Sequence, residues 1–158
     1  MPFYFDVTRE TTTNGVTQTL STHLRALTAA AVAAVITAIY GNGRGSSAGG
    51  GVLYGIRAGA AGTGGTASVE NKAHPDNPVA ATTWFDDATA ITPGTTPQVQ
   101  RTVGFAQTGG HNGWVALERD DGVGLKAAGG ANGNFEVGSK AIGTTVPINT
   151  TACWFEQP

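Results

Sequence analysis

The feature that most constrains this chain is a series of glycine turn signals set between short runs of strand-forming residues. Asn-Gly pairs begin at Asn14, Asn42, Asn112 and Asn132, and an Asp-Gly pair begins at Asp121. These dipeptides suit the type I′ turn of a tight hairpin, because both central residues of that turn need a positive φ. The runs between them are rich in Val, Ile, Thr and aromatic residues, which favour strands. The pattern predicts antiparallel strands joined by tight turns.

The composition points to the same fold class. Glycine accounts for 24 of the 158 residues against a usual ~7%, and charged residues for 13% against a usual ~25%. A chain with so few charged residues is short of salt bridges and of long helices. Its surface must therefore consist of hydroxyl groups, amides and backbone. The length suits one domain. We therefore predict an all-β fold, an antiparallel β-sandwich or jelly-roll-like single domain over residues 1–158 with Gly-rich loops, which include 41–51 and 59–65.

Individual strands can be placed by their residue types. The predicted strands are 3–9, 16–25, 52–58, 66–72, 82–85, 99–106, 135–137 and 147–156. In the last of these, Cys153 and Phe155 are predicted to face one side, and Trp154 and Glu156 the other.

Residues 27–39 are ambiguous. The spacing of Val32, Val35, Ile36 and Ile39 is helical, and the segment is rich in Ala, which favours helix. However, most of its larger residues are β-branched and its neighbours resemble strands. We predict a strand, with a short helix as the alternative.

The segment from Trp114 to Leu125 predicts a hairpin. Its turn is placed at residues 120–122, Asp-Asp-Gly, and Val123, Leu125 and Ala127 share one face of the return strand. A slip of one residue would move these side chains into water, so the register is well specified.

Charge and cysteine content exclude several classes of protein. With nine Lys and Arg and a net charge of −2, the chain cannot neutralise a phosphate track, so we predict no nucleic-acid partner. The single cysteine, Cys153, excludes an internal disulfide and a cysteine-based zinc site. The N-terminus lacks the features of a secretory signal, and the apolar stretch 26–40 is too short to span a bilayer. We predict a soluble protein with no membrane partner.

Motifs for nucleophilic or metal chemistry are weak. Residues 45–49 match G-x-S-x-G, but the hydrolase elbow needs a strand before the serine and a helix after it, whereas glycines follow here. We interpret this motif as a loop. His23, His74 and His111 lie too far apart in the chain for a typical zinc site. We therefore predict no catalytic residue, no metal and no cofactor.

The carboxylates form two groups in the sequence. Asp86 and Asp87 are adjacent, and Glu118, Asp120 and Asp121 surround the predicted turn. Paired carboxylates can serve glycoside hydrolysis or bind calcium. Aspartate is also expected in turns for conformational reasons. We interpret both groups as solvated turns or subunit salt bridges, with a glycosidase or peptidase as a minor alternative.

The large aromatic residues permit two interpretations. Trp84, Phe85 and Trp114 would suit a sugar-stacking platform, which makes a carbohydrate-binding β-sandwich the alternative function. In a sandwich, however, large aromatics more often fill the core or anchor a subunit interface.

Residues 35–157 resemble the capsid decoration (cement) proteins encoded in tailed-phage structural gene clusters. The resemblance is carried by 64–67, 75–88, 104–110 and 113–118, and towards the C-terminus by 130–134, 146–147 and 154–156. It implies a β-sandwich virion protein without catalytic residues, which stabilises the phage head by binding the outer capsid lattice. Another tail or neck structural part is the nearest competitor.

The resemblance also sets expectations for partners and location. We expect the major capsid protein as partner, synthesis in the host cytoplasm and a final position on the outer capsid surface. Because charge is too scarce to protect exposed strand edges, we also expect neighbouring subunits to cover those edges in a homotrimer. Residues 1–25 would form an N-terminal strand or arm that contacts neighbouring subunits, so that deleting 1–10 would leave a folded core. The interface candidates are aromatic residues, namely Phe3, Tyr4, Phe5, Trp84 and Trp114.

Overall fold

The described residues of the computed structural model fold into β-strands and contain no α-helix. They are 2–12, 21–28, 33–46, 50–58, 62–86, 97–106, 108–110, 112–118, 121–126, 134–139 and 146–157. Within these ranges the strands are β1 (Phe3–Thr12), β2 (Ser21–Thr28), β3 (Ala33–Gly43), β4 (Gly50–Ala58), β5 (Thr66–Ser68), β6 (Asn71–Lys72), β7 (Thr82–Asp86), β8 (Pro97–Ala106), β9 (Asn112–Val115), β10 (Val123–Lys126), β11 (Asn134–Ser139) and β12 (Pro147–Gln157).

These strands form two antiparallel sheets. The first sheet has the order β10-β3-β12-β1-β6, with β9 also paired to β3, and the second has the order β5-β7-β2-β11-β4-β8. The prediction of an all-β antiparallel sandwich is confirmed.

The core lies between the two sheets and is built from alternate residues of each strand. Ile36 and Trp154 of the first sheet pack in one cluster with Leu24 and Phe135 of the second, and none of the four is accessible to solvent. Burying each such side chain contributes about 1.5–3 kcal/mol. One glycine is needed for this packing, since a Cβ at Gly55 would lie 2.7 Å from the Phe135 ring.

The ambiguous segment 27–39 is strand wherever it is described, because its first two residues end β2 and 33–39 begin β3; residues 29–32 lie outside the described ranges. β3 pairs with β12 on one side and with β9 and β10 on the other. The register with β12 shifts between Cys153 and Trp154, which leaves an extra residue on β3. This bulge places both Ile36 and Ile39 in the core, so a strand acquires the three-residue spacing of a helix.

The predicted hairpin at 114–125 is wrong. β9 and β10 do not pair with each other, and both run antiparallel to β3 along the same edge, β9 against 38–41 and β10 against 33–36. They are one strand interrupted by residues 117–122, which we call the excursion. Ala116 still donates its N–H to Thr37 O (2.8 Å), and Val123 resumes opposite Ile36. The predicted inward face of Val123 and Leu125 is confirmed, while Ala127 lies outside the described residues.

The predicted strand 66–72 is also corrected. Residues 66–68 form β5 in the second sheet and 71–72 form β6 in the first. Val69 and Glu70 therefore cross from one sheet to the other, and the strand is interrupted at these two residues.

The N-terminal strand is an integral part of the sandwich, close to the edge of the first sheet. β1 pairs with β12 over all ten of its residues and with β6 at Phe5 and Asp6. The side chains of Phe5 and Val7 are in the core, 2% and 0% exposed. Residues 3–12 are therefore not an arm outside the fold, and β2 likewise lies between β7 and β11; residues 13–20 lie outside the described ranges.

Candidate contact surface

The outer face of the first sheet is apolar at one end. The strand register places Tyr4 beside Phe155, and Phe155 beside Val35. The Tyr4 and Phe155 rings are 5.6 Å apart between centroids and are tilted by 53°. Phe155 is only 3% exposed, whereas Tyr4 is 52% exposed. Tyr4 thus covers Phe155 and presents its own ring to solvent.

The interrupted strand β9–β10 extends this apolar area. Val115, at the end of β9, is 51% exposed, and Leu117, which begins the excursion, is 91% exposed. A shallow groove of about 280 Å³ runs between the excursion and the start of β1. Its lining residues are Pro2, Tyr4, Thr37, Ala116, Leu117, Glu118 and Phe155. We call the exposed side chains of Tyr4, Val115 and Leu117 the apolar patch.

The excursion is held by contacts at its base. Asp121 donates its N–H to Glu118 O (3.1 Å), which closes a turn within the excursion. Arg101, on β8 of the second sheet, donates from Nη2 to Asp121 O (2.6 Å). The same guanidinium lies 4.7 Å from the centroid of the Trp114 ring. Leu117 is therefore exposed on a segment that both sheets anchor.

The structure divides the five predicted interface residues into two groups. Tyr4 is exposed, and Phe3 and Trp114 are half-buried against the core. Phe5 and Trp84 lie in the core, at 2% and 1% exposure, because their strand positions face the opposite sheet. Neither of these two offers a surface to a partner in this fold, which corrects that part of the prediction.

The sugar-stacking platform is not formed by the predicted aromatics. The Trp84 ring packs against Trp154 with 5.3 Å between centroids, inside the core. One face of Trp114 is covered by Arg101. Phe85 lies on the outer side of the second sheet, beneath the Arg25 guanidinium at 4.2 Å.

The predicted carboxylates are not brought together where they are described. Asp86 of β7 forms an ion pair with Arg9 of β1, with 2.7 Å between Asp86 Oδ2 and Arg9 Nε, and this pair joins the second sheet to the first. Glu118 lies in the excursion and is exposed. Asp87 and Asp120 lie outside the described residues. Within the described part of the chain, no group of three or more His, Cys, Asp or Glu residues could hold a metal ion.

The other candidate nucleophiles and ligands also lie apart. His74 is exposed and its Nδ1 accepts a hydrogen bond from Asp76 N at 3.3 Å. His23 lies on β2, while His111 and Ser47 of the G-x-S-x-G motif are outside the described residues. Burial, with a smaller contribution from Asp6, raises the pKa of the Cys153 thiol to about 11. At neutral pH this thiol is protonated and unreactive.

Sequence reasoning missed one important polar group, Glu156. It is 4% exposed and points inward from β12. Its carboxylate accepts hydrogen bonds from the N–H groups of Ala81 (2.8 Å) and Thr82 (2.7 Å) and from Trp154 Nε1 (3.2 Å). The alternation of 153–156 placed Glu156 on the same side as Trp154, and that was the available signal. The contact with the start of β7 needed the three-dimensional structure.

Comparison with known proteins gives little further information. Neither a protein-family model nor a curated protein matches this sequence. Among solved structures, that of infectious bursal disease virus Gt strain is 10% identical with a TM-score of 0.21, and that of the Gx strain is 12% identical with a TM-score of 0.17. This chain is covered to 100% and 99%, but spans only 40% and 41% of those chains. These similarities are too low to carry an argument. Within the described residues, no helix is long and apolar enough to cross a membrane.

Proposed function

We propose that this chain is a structural protein of a virus particle, specifically a capsid decoration protein that binds the outer lattice of a tailed-phage head. Its partner is the major capsid protein, and it acts as a homotrimer through buried contact area, without catalysis or a cofactor. The observation that carries the proposal is the apolar patch, where the exposed side chains of Tyr4 and Leu117 line one groove and those of Val115 and Leu117 line the next.

The patch supports a contact role because of how its members are grouped. Single exposed apolar residues are common on protein surfaces, but contiguous apolar patches mark interaction sites. Tyr4 comes from β1, whereas Val115 and Leu117 belong to the continuous segment 112–118, so two distant parts of the chain meet where Tyr4 and Leu117 line the groove. The resemblance of residues 35–157 to decoration proteins supplies the kind of partner.

The distribution of charge is compatible with this role. The chain is slightly acidic, with a net charge of −2, whereas a protein that lines the inside of a shell meets DNA and should be basic. The described carboxylates are engaged in structural contacts, as Asp86 is with Arg9, or stand alone in solvent, as Glu118 does. This arrangement supports binding rather than hydrolysis.

The proposal is tested by sedimentation with purified heads. Expanded tailed-phage heads are assembled from the cognate major capsid protein, and the purified chain is added at increasing concentration. We expect saturable cosedimentation, and Leu117→Ser should weaken it about tenfold, since losing one buried Leu side chain costs at least 1.4 kcal/mol.

Val52→Ser provides the control, because Val52 is 38% exposed on the outer side of β4 in the second sheet, on the opposite side of the sandwich from the patch. It should bind as the wild type does. If the wild-type chain does not bind heads, the proposed function is wrong. If both variants bind equally well, the function stands but the patch is not the contact.

A further inference from the structure

A short glycine-rich segment covers a buried pair of charges on the outer side of the second sheet. All six residues of β11 are buried, although only Phe135 and Val137 join the hydrophobic core. Glu136 points outward, opposite Arg25 on β2 and Ile56 on β4. Residues 62–65, which we call the strap, lie over the side chains of Arg25 and Glu136.

Hydrogen bonds join the strap to both charges. Gly62 donates its N–H to Glu136 Oε1 (2.9 Å), and Arg25 donates from Nη2 to Gly64 O (2.8 Å). Thr63 adds an isolated β-bridge. Arg25 and Glu136 are 4% and 0% exposed, so the strap removes both from water.

The strap gains little by closing. Its residues are Gly62, Thr63, Gly64 and Gly65, and Thr63 is exposed, so no large apolar side chain is buried with it. Beneath it, Arg25 Nε has no hydrogen-bond partner among the described residues. Removing charges from water is costly, and a buried donor without a partner adds to that cost. Opening would return both charges to solvent, and this would offset much of the loss of the two side-chain hydrogen bonds and of the single bridge at Thr63.

The sheet beneath does not depend on the strap. The ladders β2–β11 and β11–β4 are made between the strands themselves. The Arg25 guanidinium rests on the Phe85 ring at 4.2 Å, a contact within the sheet. Opening of the strap would therefore break none of these ladder pairings.

We propose that the strap is a conformational device that opens by itself, exposing Arg25 and Glu136 while the two sheets remain folded. Such local opening is the low-energy end of the range that folded proteins show. The device is independent of the proposed function, and its test needs only the isolated chain.

Native-state hydrogen exchange tests the device. The Gly62 amide reports strap opening, and the amides of β11 report opening of the sheet. We expect the Gly62 amide to be about 100-fold less protected than the β11 amides, with little dependence on denaturant, because local opening exposes little surface. Equal protection and equal denaturant dependence at both places would overturn the proposal.

A glycine substitution separates the two motions. Gly64 has a φ of +83°, which a residue with a Cβ adopts only under strain. Gly64→Ala should speed Gly62 exchange about fivefold or more and leave the β11 amides unchanged. The matched control is Gly104→Ala on β8, where a Cβ would meet nothing within 4 Å. If Gly64→Ala changes both sets of amides equally, the strap opens only with the whole fold and the proposal is wrong.

Discussion

At the scale of single residues, this sandwich depends on a few polar groups that a sparsely charged sequence places in its interior. Glu156 is the clearest case, because its two carboxylate oxygens accept three N–H groups and connect β12 of the first sheet with the start of β7 in the second. A buried carboxylate with such partners holds the sheets in one relative position.

Replacing Glu156 by Gln should destabilise the fold. Whichever way the amide is oriented, its NH₂ group faces at least one of the N–H donors from Ala81, Thr82 or Trp154. We expect a loss of about 2–4 kcal/mol in the free energy of unfolding, measured by denaturant titration. Glu118→Gln is the control, because Glu118 is exposed and its change should stay within about 0.5 kcal/mol. Equal stability of the two variants would refute the role of Glu156.

The thiol of Cys153 gives a pH prediction. Burial raises its pKa from 9.0 to about 11 in the folded chain, so the folded state keeps a proton that the unfolded state loses. Stability from this group is full below pH 9 and falls as pH rises towards 11. Because the site is partly exposed, we expect a loss of only about 1–2 kcal/mol.

The measurement is the difference between wild type and Cys153→Ala across this pH range, since other groups titrate there in both proteins. The wild type should lose more stability than the variant. Parallel curves would show that the folded thiol ionises normally.

At the scale of strands, the sequence was informative about residue types and misleading about connections. β1, β4, β7, β8, β11 and β12 were all expected within a few residues of where they lie. The Asp-Gly pair at 121 predicted a hairpin, but β9 and β10 continue in one direction because both pair with β3. Local turn chemistry cannot reveal which third strand the two segments share.

The region of Ile36 and Ile39 also shows that local sequence cannot reveal pairing with a distant strand. Their spacing is helical in the sequence, and a bulge opposite Cys153 and Trp154 is what brings both into the core. A bulge depends on the register with a strand more than a hundred residues away, so periodicity alone could not distinguish it from a helical turn. For the contact surface, Tyr4 could be predicted as an exposed aromatic, but the convergence of Leu117 on it could not.

The pairing of β1 gives a prediction that opposes the expectation of a free arm. Deleting residues 1–10 removes most of a strand that pairs along its full length with β12 and contributes Phe5 and Val7 to the core. The truncated chain should lose its cooperative unfolding transition and become insoluble. Circular dichroism and denaturant titration would check this, and a truncated chain that is soluble and unfolds cooperatively would show that β1 is dispensable.

At the scale of the whole molecule, the proposed trimer can be tested without a capsid. Light scattering behind size exclusion should give about three times the chain mass of 16.0 kDa. If the apolar patch forms the subunit contact, the mass should change little between low and high salt, because screening weakens charge pairs and not apolar burial. Leu117→Ser should then lower the mass, whereas Val52→Ser on the second sheet should not.

A clean monomer would contradict the trimer but leave the apolar patch free for the capsid lattice. In that case Leu117→Ser should reduce head binding without changing the solution mass. A trimer whose mass is unaffected by Leu117→Ser would place the subunit contact elsewhere on the chain and assign the patch to the lattice alone. The two measurements together therefore decide whether the face formed by Tyr4, Val115 and Leu117 joins copies of this chain or joins the chain to the shell.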